Sequence, residues 1–246
     1  MSYTKDKIEK RIDQKTDRPD FMSYVLRHND EKGMSREEIQ ETFNVLMIAG
    51  FETTATLLAG CTYLLQKHPR VRQKLYAEIG ETFLDENEIT MLSVSHLTYL
   101  DAVIEESLGL YPPVPISLNR LAPPEGAVIC GHWVPGNVSV GIPQFAAYSS
   151  LLNFVEPDSF LPERMLQEHD AKFDKDRKPV LQPFSAGPRN CIGKILAIAE
   201  IKLILARIIL NFDLELVDKK SNWFDQKVYK LWRKHPLMVR VKDIRV

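Results

Sequence analysis

Hydrophobic positions recur at helical spacing over much of the chain, and one long stretch runs from Ser35 to about His68. Ser35 and Glu38 form a capping-box pattern, which predicts that a helix begins there. Pro69 is a favourable first-turn residue and predicts a second helix that ends near Phe83. The charged segment 4–30 is expected to be helical, with a break at Arg18-Pro19.

The downstream pattern predicts fewer and shorter elements. A helix over 95–110 is expected to stop at Tyr111-Pro112-Pro113, because proline cannot continue a helix and disfavours helical geometry in the residue before it. Residues 127–135 and 137–148 read as β-strands, 150–190 as irregular, 192–211 as a helix and the remainder as short strands. The chain is therefore predicted to be mainly α with a small β region, and to form one domain over residues 1–246.

Composition narrows the class of protein. The 246 residues are 44% hydrophobic and 26% charged, as in an ordinary globular protein. The formal net charge of -1 gives no electrostatic reason to expect nucleic acid as a partner. The cysteines are Cys61, Cys130 and Cys191, an odd number without paired spacing, which argues against disulfides and suggests a reducing compartment.

Membrane signals are weak in this sequence. The first twenty residues are polar and carry no apolar core of a signal peptide or anchor. A long apolar run at 192–212 is interrupted by charged residues, namely Lys194, Glu200, Lys202 and Arg207. A membrane span needs about 20 mostly apolar residues, so this run is interpreted as a buried amphipathic helix. No transmembrane segment is predicted in this chain.

The segment FSAGPRNCIG, residues 184–193, contains the most specific motif. Gly187 and Gly193 allow the backbone to approach a flat ligand closely. Cys191 stands at the entrance of the next helix, whose N-terminal dipole favours a thiolate. Arg189 supplies a cation suited to a carboxylate. A lone cysteine is more often a small core residue, but the matched neighbours favour a functional role here.

This spacing, Phe-x-x-Gly-x-Arg-x-Cys-x-Gly, resembles the heme-thiolate loop of the cytochrome P450 family. The resemblance implies that Cys191 is the axial ligand of the iron in heme b (iron-protoporphyrin IX). It places Phe184, Gly187 and Gly193 in the cofactor-binding loop, and it implies that Arg189 contacts a heme propionate. The same resemblance suggests Arg120 as a second propionate partner, with an ordinary surface arginine as an equal alternative.

A second cluster lies on the long predicted helix, at residues 49–54 (AGFETT). It is similar to the oxygen-activating stretch of the same family, in which an acid and a threonine cross the distal face of the heme. The resemblance implies that Glu52 and Thr53 relay protons, a general acid–base role. Read alone, Glu-Thr-Thr in a helix is more often a solvated face.

A third motif departs from the family. Pro162-Glu163-Arg164 resembles its Pro-Glu-Arg element, whose arginine pairs with the glutamate and arginine of a Glu-x-x-Arg motif before the Tyr-Pro-Pro segment. Alignment on that segment places the glutamate at Glu106, but the arginine position is Gly109. Arg164 remains available to pair with Glu106. Removal of one partner of a buried ion pair costs about 3–5 kcal/mol, so a serious destabilisation is expected.

The resemblance extends over the whole chain but covers the C-terminal half of the cytochrome P450 fold. It therefore implies that the N-terminal half and the membrane anchor of that fold are not part of this sequence. It implies a monooxygenase that hydroxylates or oxidises a small hydrophobic organic substrate, with electrons from NADPH through cytochrome P450 reductase. The amino-acid sequence is most similar to that of fungal microsomal enzymes of secondary metabolism. Full-length members lie on the cytosolic face of the endoplasmic reticulum membrane, whereas this chain would be cytoplasmic or peripheral.

An inactive fragment and a hydrolase are the competing interpretations of the sequence. The alternative is a truncated, catalytically inactive P450-derived fragment that binds heme weakly or not at all, and low heme yield is the expectation for the isolated chain. A hydrolase or a conventional metal site has little support, because the sequence has no Gly-x-Ser-x-Gly, Cys-x-x-Cys or His-Glu-x-x-His motif.

Overall fold

The computed structural model describes residues 2–14, 16, 18–29 and 33–244, with no side chains described for residues 2–4. The chain divides into two compact units, residues 1–53 and residues 54–246. The prediction of one domain stays a prediction, and each unit is described here by itself.

The first unit contains helices α1 (Ser2–Asp13) and α2 (Phe21–Arg27) and the beginning of a longer helix. The predicted helix over 4–30 is thus interrupted around Pro19 as expected, although its residues 15, 17 and 30 lie outside the described residues. Asp20 caps α2 by accepting a 2.7 Å hydrogen bond from the backbone N–H of Ser23. A small core of three buried side chains joins these helices: Ile8, Met22 and Ile39.

Helix α3 (Arg36–Lys67) is the longest element and belongs to both units. The predicted capping box is present: the N–H of Glu38 donates to Ser35 Oγ (3.2 Å), and the N–H of Ser35 donates to Glu38 Oε2 (2.7 Å). Among the described residues, α3 alone is long and apolar enough to cross a membrane by length and composition. The core helix of a soluble protein passes the same test, so the prediction of no transmembrane segment stays a prediction.

The second unit is built around packed helices. After α3 come α4 (Pro69–Thr82), the single-turn α5 (Met91–Val94) and α6 (Thr98–Leu110). Proline stands at the first position of α4, and α6 ends at the double proline, both as predicted. The apolar faces of these helices and of a later helix form the main core, which includes Leu57, Leu64, Leu75, Ile79, Leu100, Val103, Ile201 and Leu205.

Four small antiparallel sheets accompany the helices in the described part of the chain. Strand β1 (Arg120–Leu121) pairs with β4 (Ser139–Val140), and β2 (Ala127–Ile129) pairs with β3 (His132–Val134). The prediction of a strand over 137–148 is wrong beyond Val140. Residues Gln144–Tyr148 form a helix, α7, because Pro143 starts a helical turn that the sequence QFAAY continues without a breaker.

The region 150–190 is irregular, as predicted, with short 3-10 turns such as Pro162–Met165 and Gly187–Arg189. Helix α8 (Lys194–Asn211) follows and runs directly into β5 (Phe212–Leu216), which pairs with β8 (Val239–Asp243). The hairpin of β6 (Lys227–Val228) and β7 (Trp232–Arg233) lies between these two strands in sequence.

A separate aromatic cluster surrounds Tyr111, the residue that ends α6. The ring of Tyr111 stacks between Phe224 (centroids 4.6 Å apart) and Trp232 (4.8 Å). Trp232 Nε1 donates to the carbonyl of Pro112 at 2.7 Å. A Cβ at Gly60 would lie only 2.6 Å from Tyr111 Cδ1, so glycine on α3 makes room for this ring. The C-terminal segment is thereby fixed to the end of α6.

Candidate functional site

The loop that contains Cys191 is closed by its own backbone. The N–H of Cys191 donates to the carbonyl of Phe184 at 2.8 Å, and the N–H of Asn190 donates to that of Gly187 at 3.0 Å. Ser185 and Gly187 adopt φ values of 60° and 75°, in the left-handed region. Gly193 is the N-cap of α8, so Cys191 stands just before the start of that helix. The half-buried Phe184 ring packs against the main core and anchors the loop.

The thiol lies on an open, apolar surface. Cys191 is exposed, and Ile192 and Ile195 beside it are each 83% exposed. A Cβ at Gly187 would contact nothing within 4 Å, and one at Gly193 would lie 4.0 Å from Cys191 Sγ. A flat apolar group thus has room to approach the sulfur.

The donor set fits heme. In the part of the chain that the structure describes, no three His, Cys, Asp or Glu side chains are grouped to hold a metal ion. A single thiolate is a sufficient protein ligand for a metal that brings a macrocycle of its own, as heme iron does. The exposed guanidinium of Arg189 stands two residues from Cys191, where it could pair with an acidic substituent of such a group.

The other predicted heme-site residues belong to two other elements, β1 and α3. Arg120 is exposed on β1, and its Nη1 donates to the carbonyls of Leu118 and Asn119 (3.1 and 3.0 Å). Glu52 and Thr53 are half-buried on α3, in the first unit. Thr53 Oγ1 donates to the carbonyl of Ala49 at 2.6 Å, the backbone bond that a helical threonine can form. Their roles stay predictions.

Glu106 and Arg164, in contrast, meet in a buried ion pair. Arg164 Nε donates to Glu106 Oε1 at 3.0 Å, and Arg164 is 2% exposed. The backbone N–H of Leu161 donates to the same oxygen at 3.0 Å. Arg164 and Glu106 therefore form an ion pair in this structure, and their role as members of a structural triad stays a prediction.

A second carboxylate in this cluster has no signal in the sequence. Arg164 Nη1 donates to Asp176 Oδ2 at 2.9 Å, and the side chain of Asp176 is fully buried. Asp176 Oδ1 in turn accepts from the N–H of Val155 at 2.7 Å. The carbonyls of Val155 and Glu156 accept the remaining guanidinium bonds, at 2.7 and 3.0 Å. One guanidinium thus serves two buried carboxylates.

Gly109 lies beside this cluster and leaves space there. A cavity of about 20 Å³ is lined by Glu106, Gly109, Arg164 and their neighbours, including Tyr148 and Leu181. That volume is about enough for one water molecule. A Cβ at Gly109 would meet only Leu181 Cδ1, at 3.7 Å, an ordinary contact. The position expected to hold a second arginine is therefore open to a side chain.

The cluster has one guanidinium for two buried carboxylates, and the pKa of Glu106 reflects this shortage of positive charge. Burial raises this pKa from its usual 4.5 to about 7, and the neighbouring Asp176 carboxylate adds to the rise, while Arg164 and the Leu161 N–H oppose it. The guanidinium that stabilises ionised Glu106 is shared with Asp176, so it offsets the effect of burial on this pKa only in part. The folded state thus holds a proton on Glu106 more tightly than the unfolded chain does.

This shift predicts a specific pH dependence of stability. Because the folded pKa lies above the unfolded one, the contribution of Glu106 is fully present below about pH 4.5 and is lost as pH rises through about 7. The free energy of unfolding should fall by about 3 kcal/mol across this window. Urea unfolding at both ends of the window measures the change. Glu106→Gln should remove it, and an equal decline in that variant would contradict the assignment.

Comparison with known proteins identifies the family. The sequence profile described as "Cytochrome P450" matches residues 1–239. Cytochrome P450 monooxygenase lcsI of Purpureocillium lilacinum is 48% identical over 241 residues, which cover 98% of this chain and 46% of that protein. Cytochrome P450 monooxygenase astA of Talaromyces wortmannii is 47% identical over 243 residues (98% and 49%). Averantin hydroxylase of Dothistroma septosporum is 45% identical over 244 residues (97% and 46%).

The chain therefore belongs to the cytochrome P450 family, and its relatives are fungal P450 monooxygenases. Its fold, mainly α with small sheets, agrees with the C-terminal region of that family's fold. The chain spans about half the length of the curated relatives that it matches. Family membership supports an oxidoreductase by resemblance.

Proposed function

We propose that this chain provides the heme-thiolate half of a fungal monooxygenase that oxidises a small hydrophobic organic substrate. The observation that carries the proposal is the exposed Cys191 in a loop closed by the Cys191–Phe184 backbone bond, at the entrance of α8. When bound, heme b supplies the activation of dioxygen for oxygen insertion into the substrate.

On the cysteine side, the residues of the loop bind and orient the cofactor. The thiolate of Cys191 would hold the heme iron, and the left-handed turn at Gly187 and the lack of a side chain at Gly193 leave space around the sulfur. Phe184 anchors the loop to the core. Arg189 and Arg120 are proposed to neutralise the heme propionates, Arg120 after release of its bonds to the carbonyls of Leu118 and Asn119.

On α3, Glu52 and Thr53 are proposed to carry protons for the reaction. Thr53 Oγ1 holds its hydrogen against the carbonyl of Ala49, so both lone pairs of its oxygen remain able to accept. Proton transfer by positioned side chains of this kind contributes about 10²–10⁴-fold to a rate. The carboxylate of Glu52, one residue earlier on the helix, is the matching acid–base group.

The proposed partners follow from the family. Electrons come from NADPH through cytochrome P450 reductase, and basic side chains near the loop, such as Lys178 and Lys194, are candidates for steering its approach. The whole protein is proposed to act at the cytosolic face of the endoplasmic reticulum membrane, in secondary metabolism. No role in nucleic-acid binding is proposed.

The test is reconstitution of the purified chain with hemin, followed by absorption spectra of the ferric form and the reduced, carbon-monoxide-bound form. Cys191→Ala is expected to abolish the thiolate-type Soret band, because no other residue of the loop supplies a thiolate. Cys130→Ala is the matched control, since Cys130 is also exposed but lies in the β2–β3 turn. The intensity of each band is divided by the amount of heme bound, so that a low yield of heme-loaded protein does not obscure the identity of the ligand.

The outcomes separate the two readings of the chain. A thiolate-type band in wild type and Cys130→Ala that is lost in Cys191→Ala supports the proposal. A band that persists in Cys191→Ala overturns the ligand assignment. Absence of the band in every variant, with free hemin recovered, favours the inactive fragment that binds heme weakly or not at all.

A further inference from the structure

Helix α7 presents two buried polar side chains to the segment that precedes the cysteine loop. Gln144 and Tyr148 are spaced four residues apart and therefore lie on one face of the helix. They are only 8% and 4% exposed. Neither residue is used in the proposed chemistry, and both contact the same residue of the neighbouring segment, Gln182.

The two side chains engage both backbone groups of Gln182. The N–H of Gln182 donates to Tyr148 Oη at 3.1 Å. Gln144 Nε2 donates to the carbonyl of Gln182 at 3.4 Å. The reverse orientation of the amide would set two oxygens against each other, so the contact defines which end of Gln144 faces the loop. The position of Gln182 is thus defined from both sides by one helix.

Gln182 is also the first residue of the turn that precedes Cys191. Its carbonyl accepts a second hydrogen bond, from the N–H of Ser185 at 2.9 Å. Ser185 has a φ of 60°, a conformation that a residue with a side chain adopts only when its surroundings require it. The next residue back, Phe184, accepts the N–H of Cys191. Two backbone hydrogen bonds thus connect the position of Gln182 to that of Cys191 through this turn.

The helix that makes these contacts is itself anchored. The N–H of Phe145 donates to the carbonyl of Pro115 at 3.1 Å, and Ser117 forms an isolated antiparallel bridge with Pro143. The β1–β4 pair stands just before α7 in sequence. Because these bonds hold the beginning of α7 against residues 115–117, α7 can act as a rigid support for the loop.

Gln144 occupies its position at an energetic disadvantage. Its Oε1 is the one buried side-chain polar atom without a hydrogen-bond partner among the described residues. A buried acceptor without a partner costs desolvation free energy, which an apolar side chain of similar size would avoid. A role limited to filling the core therefore does not account for glutamine at this position.

We propose that Gln144 and Tyr148 are positioning residues, which hold Gln182 and so fix the conformation of the loop that presents Cys191. The consequence for heme ligation rests on the proposed function. The effect on loop conformation is independent of the proposed function, and it is measurable in the chain without heme.

The experiment compares Tyr148→Phe and Gln144→Met with wild type by hydrogen exchange at single-amide resolution. Loss of one hydrogen bond should accelerate exchange of the Ser185 and Cys191 amides by about 3- to 10-fold, while the α8 amide of Leu205 is unchanged. Tyr76→Phe is the matched control, because the half-buried Tyr76 hydroxyl donates to the carbonyl of Phe212, in β5 rather than in the loop.

Global stability separates positioning from a merely structural role. Gln144→Met removes an unsatisfied acceptor, so urea unfolding should show unchanged or higher stability together with faster loop exchange. If both variants leave exchange of the Ser185 and Cys191 amides at the wild-type rate, the inference is overturned. It is equally overturned if exchange rises uniformly in the loop and in α8, which indicates global destabilisation.

A spectroscopic measurement links the inference to the cofactor. In reconstituted Tyr148→Phe, the fraction of bound heme with a thiolate-type carbon-monoxide band should fall, and Tyr76→Phe should retain the wild-type fraction. If Cys191→Ala shows that Cys191 is not the ligand, the proposed function fails, yet the exchange result still decides whether α7 holds the loop. An unchanged thiolate fraction with faster loop exchange contradicts the consequence for ligation.

Discussion

Replacement of Arg164 by methionine is expected to lower the free energy of unfolding by about 3–5 kcal/mol at neutral pH. The variant leaves Glu106 and Asp176 buried without their shared cation, and it removes the donors to the carbonyls of Val155 and Glu156. Domains of this kind are stable by about 5–15 kcal/mol, so the loss is a large fraction of the total. Urea unfolding monitored by circular dichroism measures it.

Two further variants keep this prediction testable if Arg164→Met does not fold. Arg164→Lys retains the charge but not the planar fork that reaches both carboxylates, and an intermediate loss is expected. Lys219→Met is the control, because it breaks the exposed pair with Glu215, and exposed pairs contribute little to stability. A value for Arg164→Lys equal to wild type would show that the planar fork contributes little beyond its charge, and a loss in Arg164→Met no larger than in Lys219→Met would contradict the prediction.

Replacement of Gly109 by arginine is expected to raise the free energy of unfolding by about 1–3 kcal/mol and to increase heme occupancy. About 1 kcal/mol follows from removing glycine from the last turn of α6. The remainder follows from a second cation next to Glu106, in a cluster where one guanidinium now serves two buried carboxylates. The long side chain enters where Gly109 is half-buried, with adjustment of Leu181.

Gly109→Met separates these contributions, since it restores helix propensity and fills space without charge. The arginine variant should be the more stable of the two at neutral pH and similar to it near pH 4.5, where Glu106 is protonated. The second cation should also lower the pKa of Glu106 and flatten the decline in stability between about pH 4.5 and 7. Equal stability of the two variants at every pH would contradict a shortage of positive charge. Unchanged heme occupancy would mean that the cluster does not limit cofactor binding.

Local signals predicted most helix boundaries correctly. The reciprocal bonds of Ser35 and Glu38, proline at the start of α4 and the stop of α6 before Pro112 all depend on residues within one turn of each other. Such interactions are readable from sequence because the partners are close along the chain. The pairing of Glu106 with Arg164 was predictable for a different reason, since both residues stand in motifs that resemble one family.

The partners that sequence reasoning missed are distant along the chain or lie in irregular structure. Asp176 is an ordinary-looking aspartate between a 3-10 turn and a loop, and only tertiary structure brings it to Arg164. The segment NVSVGIPQFAAY predicts a strand because it begins with alternating residues, but Pro143 changes the backbone direction midway and α7 follows. The contacts of Gln144 with Gln182 span 38 residues and leave no periodic pattern.

The aromatic cluster has a consequence for synthesis of the protein on the ribosome. Tyr111 Oη donates to Gln226 Oε1, 115 residues later in the chain. The carbonyl of Pro112 accepts a hydrogen bond from Trp232, 120 residues later. Until that segment emerges, a nascent chain with all of α6 exposes the faces of the Tyr111 ring on which Phe224 and Trp232 later stack. Contacts so distant along the chain form slowly and leave apolar surface open to aggregation. Co-expression of a holdase chaperone that covers this surface should therefore raise the soluble yield. Its effect should be larger than that of a mutation that only slows unfolding of the folded protein.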